Sequence, residues 1–280
     1  MDSALKYCNE AIQLSKKLDF KKGLTAAYYD MGKILVEQGN YPEALNIYQE
    51  ELKFHESLGD KKNQANVYNL IANAYHLQGD YPNALKNQYS ALKIREEIGD
   101  EEGISWSYNN IGTIYRIQED YPAALKNYYA SLKLVEKFGN LKNVAYAHNN
   151  IGNVYSSQNK HTDALNSFLL ALKLRLKDGD KKEIVASYIN IGDAFCDLYE
   201  KDSITKEVRV EFAENDIRTI PRVDWLKTAL EMQSNAQIMN EEHGNKYYSI
   251  FILSGIGRTN YLRTNYKGSI KLSTQAYGIA

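Results

Sequence analysis

The chain has little proline, almost no cysteine, next to no net charge and no long apolar run, and each shortage excludes something. Its two cysteines, Cys8 and Cys196, lie far apart, so they build neither a disulfide framework nor a thiolate metal cluster and set no redox compartment. A net charge of -1 with 25% charged residues leaves no basic footprint, which argues against nucleic acid or an anionic membrane as partner. The apolar runs are too short to cross a bilayer, and the opening Met-Asp-Ser-Ala-Leu-Lys lacks a signal peptide's features. A soluble segment, cytoplasmic rather than periplasmic, is the expectation, with any targeting or membrane segment lying outside it. The histidines His55, His76, His148, His161 and His243 form no ligand-spaced pair, and no Ser/His/Asp or Cys/His grouping stands out. No catalysis, cofactor or metal is expected within this segment. Gly255-Ile-Gly257 hints at a dinucleotide loop, but it lies in an expected helix and follows no strand.

What is present is a repeat. Gly-Asp-Tyr-Pro-Asn-Ala-Leu at 79–85 returns as Gly-Asn-Tyr-Pro-Glu-Ala-Leu at 39–45 and Glu-Asp-Tyr-Pro-Ala-Ala-Leu at 119–125, and weakly at 159–165. A fixed period near forty residues predicts a solenoid of stacked units instead of one globular core. Three of the four prolines, Pro42, Pro82 and Pro122, follow that period. Proline in a helix's first turn removes only an N–H that has no partner there, so each opens a helix, B. Helix B runs to Gly59, Gly99, Gly139, Gly179 and later Gly244, where glycine accepts the left-handed C-cap. Asp60, Asp100, Asn140, Asp180 and Asn245 follow as N-caps of the next helix, A.

Helix A carries Tyr68-x-x-Ile71-Ala72-x-x-Tyr75, repeated at Tyr108/Ile111/Gly112/Tyr115, His148/Ile151/Gly152/Tyr155 and Tyr188/Ile191/Gly192/Phe195. Steps of three and four put these residues on one face, with a small residue where helix B approaches. In helix B, Ala84, Leu85 and Ala91 face helix A, and Tyr48, Tyr128 and Phe168 share one position. On these residues the chain resembles a tetratricopeptide (TPR) array, whose motif is aromatic-x-x-Leu-Gly-x-x-Tyr followed by Ala-x-x-x-Phe-x-x-Ala. The period of forty, against the usual thirty-four, resembles the longer repeats of bacterial signalling proteins (sensor histidine kinases, nucleotide cyclases) and kinesin-light-chain-like adaptors. The resemblance implies an all-α, right-handed superhelix (α-solenoid) of antiparallel helix pairs.

The expected organisation is a lone helix B at 1–19, repeats at 20–59, 60–99, 100–139 and 140–179, a repeat with an insertion at 180–244, and a truncated repeat at 245–280. The insertion, near 201–224, alternates Val208, Val210 and Phe212 with charged residues, and Ile217, Ile220 and Val223 offer a second strand across Glu214-Asn215-Asp216. A β-hairpin, an irregular loop and an extended helix all remain open. Because the period resumes in phase at Trp225, deleting 201–224 is expected to leave the stack folded. The uncapped ends suggest a fragment of a longer protein, whose effector domain would lie elsewhere in the full-length chain.

In the TPR family helix A lines the concave surface. Carried onto this chain, its positions give Asn66, Asn69, Asn73, Trp106, Asn109, Asn110, Thr113 and Arg116, then Tyr146, Asn149, Asn150, Asn153, Asn190 and Asp193. Asparagine is a poor helix former, so this many along one surface demand a reason. Their amides suit the backbone of an extended peptide, and a ladder joining neighbouring A helices is the competing explanation. The expected function is a peptide- or protein-binding segment of a signalling protein, and the alternative is a constitutive scaffold. Lys33, Arg116 and Arg258 against Asp30 and Asp193 do not reproduce the clamp of chaperone-binding TPRs.

Overall fold

Capping sets the element boundaries. The computed structural model describes residues 2–201, 206–213, 216–242 and 244–263. Helices α4 (Lys61–Gln78), α6 (Glu101–Ile117), α8 (Leu141–Ser157) and α10 (Lys181–Lys201) each begin one residue after an acidic or amide side chain. Asp60, Asp100, Asn140 and Asp180 accept the N–H of Asn63, Gly103, Asn143 and Glu183 at 3.2, 3.0, 3.1 and 3.4 Å. Such a cap is worth about 1 kcal/mol. These are the A helices, together with α2 (Lys21–Glu37) and α12 (Lys246–Leu262). The B helices are α1 (Asp2–Lys17), α3 (Tyr41–Ser57), α5 (Tyr81–Ile98), α7 (Tyr121–Lys137), α9 (His161–Asp178) and α11 (Trp225–Glu241). The fold is an α-solenoid of consecutive helix pairs. Residues 255–257 lie inside α12, which removes any dinucleotide loop there.

The glycine of helix A is required by contact. A Cβ on Gly32 would lie 2.2 Å from the Tyr48 ring, on Gly112 2.9 Å from Tyr128, and on Gly152 2.6 Å from Phe168. The pairs close only because that atom is missing. The same column holds Gln88 against Ala72 and Gln233 against Gly192, so two pairs replace an aromatic ring with an amide.

The chain divides into two compact units, Met1–Leu134 and Val135–Ala280, with the division falling in α7. In the first, Ile12, Leu24, Ala27 and Tyr28 form one core cluster, and Leu35, Leu45, Tyr48, Val67 and Ile71 form another. In the second, the core gathers Leu165, Phe168, Ile191, Phe195, Leu198, Trp225 and Leu226.

The insertion is a two-stranded antiparallel hairpin, β1 (Glu207–Ala213) with β2 (Asp216–Pro221), in the register Val208↔Ile220 and Arg209↔Thr219. Asp216 belongs to β2 and not to the turn, while Glu214 and Asn215 lie outside the described residues. Val223, expected in the second strand, sits in a short 3-10 turn at Arg222–Asp224 and is 86% exposed. The expectation that 201–224 is dispensable needs correction. Val208 and Ile220 are buried in the second unit's core beside Trp225, and β1 packs against α9. Trp225 Nε1 donates to the Ile220 carbonyl at 3.0 Å, and Arg222 donates to the Tyr199 carbonyl at 2.8 Å. The strand alternation was legible, but not what its apolar face would lie against.

Candidate functional site

The A-helix residues divide into two sets, one bonded between repeats and one open. In the first unit, Asn110 donates to Asn69 Oδ1 at 2.7 Å across α6 and α4, and Gln88 donates to the same oxygen at 2.9 Å. In the second, Asn190 donates to Asn149 Oδ1 at 2.9 Å across α10 and α8, joined by Arg175 at 3.4 Å. One offset, forty-one residues, recurs in both units. The ladder of amides is therefore present within each unit. Asn109 and Asn150 also hold partners.

Two buried arginines that the sequence reading passed over anchor the ladder's flanks. Arg95 in α5 donates to Ser107 Oγ at 2.7 Å, the Gly103 carbonyl at 3.2 Å and Asn66 Oδ1 at 3.3 Å. Arg175 in α9 donates to Ser187 Oγ at 2.7 Å, pairs with Glu183 at 2.9 Å and lies 5.6 Å from the Tyr146 ring centroid. Burial lowers both guanidinium values, and for Arg175 the Glu183 carboxylate opposes it. Burial and Glu183 push the Tyr146 phenol up to about 12. The missed signal was in the repeat itself: arginine at 95 and 175, each with serine twelve residues later, alternates with Val135 and Ala147.

The open set, Asn73, Asn153 and Asp193, follows one column of helix A whose second position is Thr113. Among the described residues, the Asn73 and Asn153 side chains hold no hydrogen bond. Thr113 is bonded, to Tyr128 Oη at 3.1 Å and to the Asn109 carbonyl at 3.1 Å. Burial raises the Tyr128 phenol, opposed by Thr113 and Arg116. Trp106 is 46% exposed at the start of α6.

Each unit has a cleft on this column. In the first unit a hollow of about 190 Å³ is lined by Asn69, Asn73, His76, Gln88, Asn110 and Thr113, with Ala72 and Ile114. Ala72 and Gln88 border it where the pairs at Gly32, Gly112 and Gly152 hold glycine and an aromatic ring. Gln88 is buried and its Oε1 has no partner. Burial lowers His76, and Arg116 lowers it further. In the second unit a cleft of about 360 Å³ is bordered by Asn153, Asn190, Asp193, Phe251, Ser254 and Arg258, among others. Among the described residues no group of three His, Cys, Asp or Glu is arranged to hold a metal ion, and no helix is long and apolar enough to cross a membrane.

The tetratricopeptide repeat family model matches residues 63–137 and 103–177. Among solved structures, BtubC (BKLC) from P. vanneervenii is similar with a TM-score of 0.69 at 18% identity, covering 87% of this chain and 92% of that one. A STAND signal-transduction ATPase with a tetratricopeptide repeat sensor, PH0952 from Pyrococcus horikoshii, gives 0.68 at 13% identity, covering 91% of this chain and 36% of that one. Aspartyl phosphate phosphatase F from Bacillus subtilis gives 0.67 at 12% identity, covering 96% and 73%. At these identities the likeness is one of fold. Comparison with curated proteins gives no match.

Proposed function

We propose that the chain is an array of tetratricopeptide repeats, as the family match over residues 63–137 and 103–177 supports, and that it binds an extended peptide or partner protein on its A-helix faces, as the regulatory or sensory segment of a signalling protein. The observation that carries this reading is the pair of clefts on the column of Asn73, Asn153 and Asp193, where helix-borne amides are left unbonded. An amide offers both donor and acceptor, which matches a peptide backbone whatever its side chains. Asn66, Asn69, Asn110, Asn149 and Asn190 divide their capacity between neighbouring helices and a ligand. Asn109 and Asn150 share theirs between the partners they hold and a ligand, and Trp106, Thr113, Arg116 and Tyr146 border the same faces. The sensor repeats named for PH0952 support a regulatory role. The second reading, a constitutive scaffold, differs in lacking a response to its ligand.

The division of the asparagines gives the test. A positional-scanning pentapeptide library selects binders on the wild-type chain. Asn73→Ala with Asn153→Ala should weaken them about 2–10-fold per lost hydrogen bond while leaving the melting temperature nearly unchanged. Asn110→Ala with Asn190→Ala should lower the melting temperature by a few degrees, about 2–4 °C per kcal/mol lost. Wild-type affinity in the first double variant overturns peptide recognition by this column.

A further inference from the structure

The second unit's cleft holds a charge that the fold does not neutralise. Asp193 on α10 is partly buried, and among the described residues its carboxylate has no hydrogen bond and no ion pair. The cation that lines the same cleft, Arg258 on α12, is committed elsewhere: its guanidinium donates to Asp197 at 2.8 Å and also pairs with Glu200. Lys201 lies 3.7 Å from Asp197 as well. Three carboxylates thus share two cations, and Asp193 is the one left over. Burial, partly offset by Arg258 and reinforced by Asp197, pushes its carboxyl up to about 6, so it is charged at neutral pH at some expense to folding.

A carboxylate that is mostly out of water and has no partner is costly, which marks it as a candidate ligand-binding group. The walls indicate which ligand. Asn153, Ser254 and Asn190 are neutral, one N–H of the Asn190 amide is given to Asn149, and the charged lining residues Asp197 and Arg258 are paired with each other. Phe251, 45% exposed, and the edge of Phe168 supply apolar surface in the same cleft. The space is too large for a bare ammonium ion and suits one long side chain. We infer that this cleft takes a lysine or arginine side chain of the bound polypeptide, its cationic head on Asp193 and its alkyl stem against Phe251. This rests on the peptide-binding reading above and adds to it a basic residue as the specificity determinant.

Blocked amino acids test the cleft without any known peptide. Side-chain amide resonances of Asn153 and Asn190 are followed by NMR while Nα-acetyl-lysine methylamide or the arginine analogue is titrated into the full chain. The neutral isosteres, norleucine and citrulline, serve as controls. The expected result is saturable shifts with the two cations at millimolar concentration, weakened about tenfold or more in Asp193→Asn, and none with the controls. Asp193→Asn should melt no lower than the wild type, because it removes a buried charge that has no partner; this separates lost binding from lost folding. No shift with either cation, equal shifts with the neutral isosteres, or full binding by Asp193→Asn each overturns the inference. The pentapeptide library separates the two levels. Binders without a basic residue sink this inference and leave peptide binding standing. A silent library beside cation-dependent shifts sinks peptide binding and leaves the cation site.

Discussion

Glu51 occupies the helix-B position that Ala91, Ser131, Ala171 and Ala236 fill elsewhere, and it is 2% exposed. A carboxyl in a slot built for a methyl group has lost its water, and Oε2 finds no partner. Burial pushes its value up to about 7. Its neighbour His55, also buried, has Nε2 3.9 Å from Glu51 and Nδ1 3.4 Å from Asp60. Burial lowers His55 and Asp60 opposes that. The signs follow from linkage. Glu51, raised, gives stability that is full below its unfolded value of about 4.5 and is lost as pH rises through about 7. His55, lowered, gives stability that is full above its unfolded value of about 6.5 and is lost as pH falls through its lower folded value. Between pH 5 and 8 the wild type should therefore lose on the order of 2–3 kcal/mol relative to Glu51→Gln. Chemical unfolding of both proteins across that range checks it, and parallel curves would show that Glu51 titrates normally. The sequence carried this site in plain view. A column comparison exposes glutamate among alanines, just as it exposes Arg95 and Arg175 among their serines, but attention to the recurring residues hides the exceptions.

At the scale of elements, capping chemistry and proline placement are local and were readable. The residues expected to cap α4, α6, α8 and α10 are the ones whose side chains accept the first-turn N–H groups. The hairpin was readable only as alternation. A period of two says that one face is apolar, not whether that face meets solvent, a ligand or a core. Here Val208 and Ile220 join the core that also holds Phe195, Leu198 and Trp225. Replacing 206–221 by a short polar linker should thus destabilise the second unit by about 3–5 kcal/mol, the range for removing large buried side chains. The indole of Trp225 loses both its cover and its carbonyl acceptor. Red-shifted tryptophan emission and binding of a hydrophobic dye would report it; unchanged emission and an unchanged unfolding midpoint would mark the hairpin as an appendage. The asparagine surface was half legible for a related reason. Helical spacing put the amides on one face, but only interatomic distances separate those that staple α4 to α6 or α8 to α10 from those left open.

In the molecule as a whole, order propagates by neighbours. Within the first unit α1 through α6 pack in sequence order, and within the second α8 through α12 do so, with α10 also touching α12. Stability in such an array is close to a sum of repeat and nearest-neighbour terms, so a perturbation is felt locally. The two tryptophans make this measurable. Trp106 is 46% exposed and Trp225 is fully buried, so the emission change on unfolding comes mainly from the second unit, whereas circular dichroism at 222 nm reports every helix. Arg95→Ala removes hydrogen bonds to Gly103, Ser107 and Asn66 and leaves polar groups buried without partners, a loss of about 3 kcal/mol in the first unit. In urea, that variant should broaden the dichroism transition and move its early part to lower denaturant, while the Trp225 emission midpoint stays within error of the wild type. The hairpin replacement should do the reverse, moving emission more than dichroism. If Arg95→Ala shifts both probes by the same amount, the array unfolds as one cooperative body. The local bookkeeping that makes the Asn73, Asn153 and Asp193 column separable from the stack would then be wrong as well.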